Sequence, residues 1–163
     1  MRITLLCVGK TDFPFIVEGM KLYEDRLKHY CKFSTVCIPA LKGVSSWTKE
    51  QIKEKEGELI LKSLGLTKAK AAAKKHVVLL DERGGKYSSE AWASRIEKLA
   101  LLDKDVFFVI GGAYGFSDAV YSISSEKLSL SDMTFSHQIV RLIFMEQIYR
   151  AFTIISKEPY HHR

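Results

Sequence analysis

Short apolar runs alternate with amphipathic segments along most of this chain. Runs of strand length lie at Arg2–Val8, Phe33–Ile38, His76–Asp81 and Val106–Ile110. Several of them are apolar on both faces, which is typical of a parallel sheet covered by helices on its two sides. The sequence therefore predicts an α/β fold built on a mostly parallel sheet, with ligands binding beyond the carboxyl ends of the strands.

Helical spacing of apolar residues and capping signals predict the remaining elements. The helices are expected from Pro14 to near Tyr30, from the capping residue Thr48 to Gly65, from Ser88 or Ser89 to Leu102, and from about Ser136 to Ile155. A turn is expected at Glu82–Gly85 and a short strand around Leu128–Leu130.

Size and composition favour one compact domain, since the chain has 163 residues, of which 47% are hydrophobic and 27% charged. No apolar stretch approaches the length of a membrane helix, and the start Met1–Cys7 lacks a signal-peptide pattern, so we expect a cytoplasmic protein. Cys7, Cys31 and Cys37 are odd in number and show no C-x-x-C spacing, which argues against a disulfide framework and a zinc site.

The net charge of +6 favours a polyanionic partner. Five lysines and no acidic residue lie between Lys62 and Lys75. This segment is either a phosphate-facing surface or a solvated loop. Histidines and arginines also gather in the last 27 residues of the chain.

Glycines follow the strand that ends at Ile110, in the run Gly111–Gly115, and they let a ligand approach the backbone closely. The run is not a G-x-G-x-x-G fingerprint, and a Walker A loop is absent, so NAD binding and nucleotide hydrolysis are unsupported. H-E-x-x-H and G-x-S-x-G are absent as well, which removes the signatures of zinc proteases and nucleophile-elbow hydrolases. The loops after Leu80 and Ile110 are the expected ligand-binding segments.

Two pairs at helical i, i+4 spacing lie near the C-terminus, namely His137 with Arg141 and Glu146 with Arg150. The first pair can aim an imidazole and a guanidinium at an anion near a helix start. Ordinary surface pairing explains the same spacing, so both interpretations stand.

The order of motifs in the last third resembles one family. They are Ile110–Gly115, Leu128–His137, Arg141, Glu146–Ala151 and the ending Pro159–His161. Together they resemble the H-type large-subunit ribosomal RNA methyltransferases, small enzymes of the SPOUT class, over the whole length of the chain.

This resemblance implies an α/β fold with a C-terminal trefoil knot, in which the end of the chain passes through a preceding loop. It implies a homodimer, S-adenosylmethionine as methyl donor, and methylation of N3 of a pseudouridine in 23S ribosomal RNA of the large subunit, on assembled ribosomes. The length of the chain predicts a single domain over residues 1–163 and leaves no residues for a separate RNA-binding domain, and no metal is expected.

The family's site maps onto residues of this chain. The donor pocket falls on Leu80, Gly111, Gly112, Gly115, Leu130, Ser131, Asp132, Met133, Thr134 and Phe135. The candidate catalytic residues are His137, Arg150, Tyr160 and His161: Arg150 suits charge stabilisation, and the group that takes the proton stays open between the histidines and a tail carboxylate acting through water. The candidate RNA contacts are Arg141, Lys68, Lys70, Lys74, Lys75 and Arg163.

Tyr114 departs from the family's usual pattern, and its ring either stacks on a base or caps the glycine loop. Three other functions remain as alternatives. They are a SPOUT enzyme acting on transfer RNA, a non-catalytic ribosome-associated protein with this fold, and an α/β domain that binds some other ligand.

Overall fold

The computed structural model describes residues 1–66 and 74–161. Within these ranges the chain forms five strands and five helices. In chain order they are β1 (Arg2–Val8), α1 (Pro14–Leu27), β2 (Lys32–Ile38), α2 (Lys49–Ser63), β3 (Lys75–Gly85), α3 (Ser89–Ala100), β4 (Asp105–Ile110), α4 (Asp118–Ile123), β5 (Glu126–Leu128) and α5 (Ile139–Ile155).

All five strands join one sheet in the order β2-β1-β4-β3-β5, and every neighbouring pair is parallel. The prediction of a parallel α/β sheet is confirmed. Because the strands are parallel, their carboxyl ends lie at one edge, and the loops that leave β1, β3 and β4 meet there.

Helices cover both faces of the sheet. Leu5 and its same-face neighbours pack under α1, α3 and α5, whereas Leu6 packs under α2 and α4 on the opposite face. Successive strand residues point to opposite faces, so strands that are apolar throughout supply both layers of the core.

Local capping follows the sequence signals. The Thr48 hydroxyl accepts from the Gln51 backbone N–H, and the Gln51 side chain accepts in return from the Thr48 N–H, which completes the predicted capping box at the start of α2. The Ser88 hydroxyl likewise accepts from the Ala91 N–H and begins α3.

The predicted turn at Glu82–Gly85 is wrong. Strand β3 continues through Gly85 with an irregularity between Leu80 and Gly85, and the Gly85 carbonyl accepts from the Ser129 N–H. Two successive glycines are typical of a turn, but in a strand they accommodate a bulge. The short strand β5 also lies two residues earlier than expected, α5 begins three residues later, and α4 has no counterpart among the predicted helices.

Among the described residues, no helix combines the length and apolar character needed to cross a membrane. The knotted path of the chain end stays a prediction. Lys68, Lys70 and Arg163, which are candidate RNA contacts, lie outside the described residues.

Candidate functional site

A cavity of about 640 Å³ opens at the carboxyl edge of the sheet. Its walls come from the end of β3, the loop after β4, and the segment that joins β5 to α5. All ten residues expected to hold the donor line it, and so does His137. The volume suits a ligand the size of a nucleoside with a substituent.

The glycine loop forms one lip of this cavity as a tight turn. The Gly115 N–H donates to the Gly112 carbonyl at 3.2 Å, and Gly115 adopts a φ of +80°, a conformation that favours glycine. A Cβ atom at Gly112 would overlap the carboxylate of Glu56, which lies behind the loop. The loop therefore keeps its main chain open to the cavity.

Glu56 itself is an unusual neighbour for that loop. Its Oε2 atom is buried and has no hydrogen-bond partner among the residues described. Burial raises the pKa of this carboxyl above its ordinary value. Glu56 thus supports the glycine loop from behind at an electrostatic cost.

The facing lip is the turn that follows β5. The Ser129 hydroxyl donates to the Ser131 carbonyl at 3.0 Å, and the Ser131 hydroxyl accepts from the Met133 N–H at 2.9 Å. Lys86 pairs with Asp132, a residue of this turn. Short local hydrogen bonds hold the turn in shape, and Met133 within it is 77% exposed.

A polar wall that sequence reasoning missed closes the cavity beside α4. The Tyr121 hydroxyl donates to the Asp81 carboxylate, and Arg83 pairs with the same carboxylate while donating to the Tyr121 oxygen at 2.5 Å. Burial alone would raise the pKa of Asp81, but the hydrogen bonds from Tyr121 and Arg83 outweigh it and lower that pKa. Asp81 and Tyr121 are 40 residues apart in the chain. With a turn expected at Glu82–Gly85, the sequence did not predict that they lie in contact.

Arg141 is a correction to the expected RNA contacts. Its side chain is fully buried, and its guanidinium donates to the carbonyls of Val8, Gly9 and His137 and to the Thr11 hydroxyl. No part of it reaches the surface, so it has a structural role and cannot meet a phosphate of RNA.

Lys75 also has a structural role, because its side chain contacts other parts of the protein. Its ammonium donates to the carbonyl of Leu64 at the end of α2 and lies 5.6 Å from the ring centre of Phe107. This satisfies a carbonyl left free where the helix ends. Lys74 is exposed and precedes β3, so it lies at the amino edge of the sheet, across from the cavity.

The other candidate catalytic residues form a cluster of their own. Arg150 pairs with Glu146 at 2.5 Å and lies over the ring of Tyr160, whose hydroxyl also donates to Glu146 at 3.2 Å. The His161 ring lies between Arg150, at 3.5 Å, and Glu90, at 3.4 Å. None of Arg150, Tyr160 and His161 lines the cavity, whereas His137 does.

Burial raises the pKa of the Tyr160 phenol, and hydrogen bonds with Tyr23 and Glu146 raise it further. The phenol is protonated at neutral pH even at its ordinary pKa, and these contacts hold it further from ionisation. Tyr160 is suited to donating a hydrogen bond and unsuited to taking a proton.

Among the described residues, no group of three or more histidines, cysteines, aspartates and glutamates is placed to hold a metal ion. The chemistry that the site offers is binding of a nucleoside-like ligand between two main-chain turns, beside the imidazole of His137.

Comparison with known proteins gives matches over the full length of the chain. Residues 1–161 match the family described as predicted SPOUT methyltransferase. Ribosomal RNA large subunit methyltransferase H of Parabacteroides distasonis is 50% identical over 163 residues, covering 99% of both chains. The protein of the same name from Christiangramia forsetii is 50% identical over 164 residues and covers both chains completely.

Solved structures give weaker matches. The SpoU methyltransferase AviRb from Streptomyces viridochromogenes, in complex with AdoMet, aligns with a TM-score of 0.49 and 14% identity. That alignment covers 95% of this chain, which spans 58% of the solved chain.

Proposed function

The chain belongs to the SPOUT methyltransferase family, and from that premise we propose that it methylates N3 of a pseudouridine in the 23S ribosomal RNA of the large subunit. It is a methyltransferase, and its methyl donor is S-adenosylmethionine. The observation that carries the proposed substrate is the 50% identity, over essentially the whole chain, to relatives named ribosomal RNA large subunit methyltransferase H.

The cavity at the carboxyl edge fits this donor. Main chain at the glycine turn and at the turn after β5 can meet the edge of an adenine, and the apolar side chains of Leu80, Leu130 and Phe135 can exclude water from it. We assign donor binding to the ten lining residues identified above.

When bound, the donor supplies a methyl group on positively charged sulfur, which is reactive without further activation. The main task of the protein is therefore to hold the acceptor nitrogen in line with that methyl group. Two short, hydrogen-bonded turns on either side of the cavity give the rigid positioning that this requires.

The acceptor nitrogen carries a proton that must leave. Three groups are candidates for accepting it: His137, which lies in the cavity lining, His161, and a tail carboxylate acting through water. The guanidinium of Arg150 suits stabilisation of the deprotonated base. Tyr160, whose phenol donates to Glu146, serves as a hydrogen-bond donor in this scheme.

A homodimer accounts for the separation of these groups. Within one chain, Arg150, Tyr160 and His161 cluster on the tail side, outside the cavity lining. We propose that a second copy, packed against the knotted region, brings its tail cluster to the cavity of the first. The dimer then carries both the donor site and an RNA-binding surface, and it acts in the cytoplasm on assembled ribosomes.

The test is transfer of labelled methyl groups from S-adenosylmethionine to three substrates: intact ribosomes from a strain lacking this gene, free subunits, and bulk transfer RNA. Identification of the product nucleoside completes it. We expect N3-methylpseudouridine on the intact ribosome. A parallel reaction with excess unlabelled S-adenosylmethionine is the control, because it dilutes every signal that depends on the donor.

Each alternative has its own result. Label on transfer RNA would assign the chain to a SPOUT enzyme of a different substrate class. Donor binding without transfer to any RNA would indicate a protein that keeps the fold and the donor pocket and lacks the activity.

A further inference from the structure

Tyr114 is an exposed aromatic residue at the mouth of the donor cavity, and the proposed methyl transfer has so far given it no role. It follows Ala113 at the tip of the hydrogen-bonded turn between Gly112 and Gly115. Its side chain lines the cavity, and the residue is 44% exposed. A large ring held out at a cavity rim offers a flat apolar face to whatever enters beside the donor.

A cation lies next to this ring. The ammonium of Lys49 is 5.8 Å from the ring centre of Tyr114. Lys49 is the first residue of α2 and is exposed to solvent, and no ion pair holds it among residues 1–66 and 74–161. Its charge is therefore free to meet an anion at the same lip of the cavity.

An exposed aromatic ring combined with a nearby cation is the arrangement by which proteins hold unpaired nucleotides. The base stacks on the ring and the phosphate meets the cation, with little dependence on sequence. Neither Lys74 nor Lys75 supplies such a contact near the cavity, since both lie at the opposite edge of the sheet. An RNA substrate needs some contact at the cavity edge, and Tyr114 with Lys49 provides one.

We propose that Tyr114 stacks on an unpaired nucleobase of the RNA substrate, at or next to the acceptor nucleotide, and that Lys49 holds the adjoining phosphate. This rests on the proposed RNA methyltransferase function. It makes Tyr114 a residue that positions the acceptor, whereas a residue that only capped the glycine turn would affect the donor site instead.

The experiment compares Tyr114→Phe with Tyr114→Leu in the full-length protein. Phenylalanine keeps the ring, and leucine keeps an apolar side chain but has no π face. With deletion-strain ribosomes as substrate, Tyr114→Leu should lower kcat/KM for RNA roughly five- to hundredfold. Tyr114→Phe should stay within about threefold of wild type, and both variants should bind S-adenosylmethionine, measured by calorimetry, within about twofold of wild type.

A second pair of variants tests the cation. Lys49→Gln should reduce the slope of log affinity against log salt for ribosome binding by about one unit. Lys104→Gln is its matched control, because this exposed lysine precedes β4 at the opposite edge of the sheet. Its slope should equal that of wild type.

The outcomes separate this inference from the function on which it rests. Equal kcat/KM values for the phenylalanine and leucine variants would overturn stacking, and so would loss of donor affinity in proportion to activity. If the wild-type protein transfers methyl groups to no ribosomal RNA, the proposed function fails and the stacking role falls with it. If the wild-type protein methylates the ribosome and Tyr114→Leu does so at the same kcat/KM, the stacking role is overturned and the proposed function stands.

Discussion

The guanidinium of Arg141, at the start of the last helix, donates to the carbonyl of Val8, at the end of the first strand, across 2.7 Å. The two residues are 133 positions apart in the chain. Further bonds from the same side chain reach Gly9, Thr11 and His137. One buried side chain thereby ties β1 to the beginning of α5 and fixes the backbone that carries His137 into the cavity.

Replacing Arg141 by alanine should lower the free energy of unfolding by about 3–5 kcal/mol, because it leaves several buried acceptors without donors. Urea denaturation at fixed protein concentration measures this. Arg2→Ala is the control, since Arg2 pairs with Asp105 at the surface with its side chain 58% exposed, and it should cost at most about 1 kcal/mol. Equal losses in the two variants would contradict the structural role of Arg141.

Periodicity and capping signals are sufficient to predict most of the fold. The capping box at Thr48 and the fully apolar strands are local patterns, so they can be identified without knowing the rest of the structure. The continuation of β3 through Gly85 cannot be predicted in this way, because a glycine pair is compatible with both a turn and a bulge. The hydrogen bond between Gly85 and Ser129 decides between them. Helix α4 is six residues long, too short for a periodic signal.

Motifs identify the cavity residues, whereas they do not decide the surroundings of individual charged residues. The spacing of His137 and Arg141 is the same whether the Arg141 guanidinium faces RNA or the protein interior. The Arg141 side chain is buried because α5 packs on the end of β1. The Asp81–Tyr121 pair joins a strand to a helix that the sequence does not reveal. Long-range contacts of this kind leave no mark in local residue patterns.

Glu56→Gln should stabilise the protein at neutral and alkaline pH. Folding raises the pKa of this carboxyl, so the stability that its protonated form contributes is lost as pH rises through that raised pKa. Glutamine stays neutral, and the Tm advantage of the variant should grow from pH 4 to pH 8. Other titrating groups are common to both proteins, so the difference isolates Glu56.

The neighbouring Glu58, whose side chain is 65% exposed and paired with Lys55, supplies the control. Its change to glutamine should give a Tm difference that varies little with pH. A Tm difference for Glu56→Gln that is constant or shrinks with rising pH would show that the Glu56 carboxylate has hydrogen-bond partners in solution and that its pKa is not raised by folding.

Changing Lys68, Lys70 and Lys74 together to glutamine should weaken ribosome binding and flatten its salt dependence, by about one unit of slope for each phosphate that these lysines neutralise. Lys75→Gln is the informative counterpart within the same segment. Because Lys75 caps the end of α2, its replacement should reduce stability by about 1 kcal/mol and leave the salt slope alone. An unchanged slope in the triple variant would mean that the lysines are a solvated surface.

Deleting Tyr160 to Arg163 should abolish methyl transfer and leave donor binding largely intact. The tail residues Tyr160 and His161 pack on Arg150 and Glu146, outside the cavity lining, so their removal spares the two turns that form the donor site. Calorimetry with S-adenosylmethionine and single-turnover transfer to ribosomes measure the two effects separately. Deleting only residues 162–163 keeps Tyr160 and His161 and removes the candidate RNA contact Arg163, so it should raise KM and preserve turnover. If a chain that ends at Pro159 still methylates at the wild-type rate, the tail has no part in the mechanism. His137, the candidate base that lies within the cavity lining, would then take the proton.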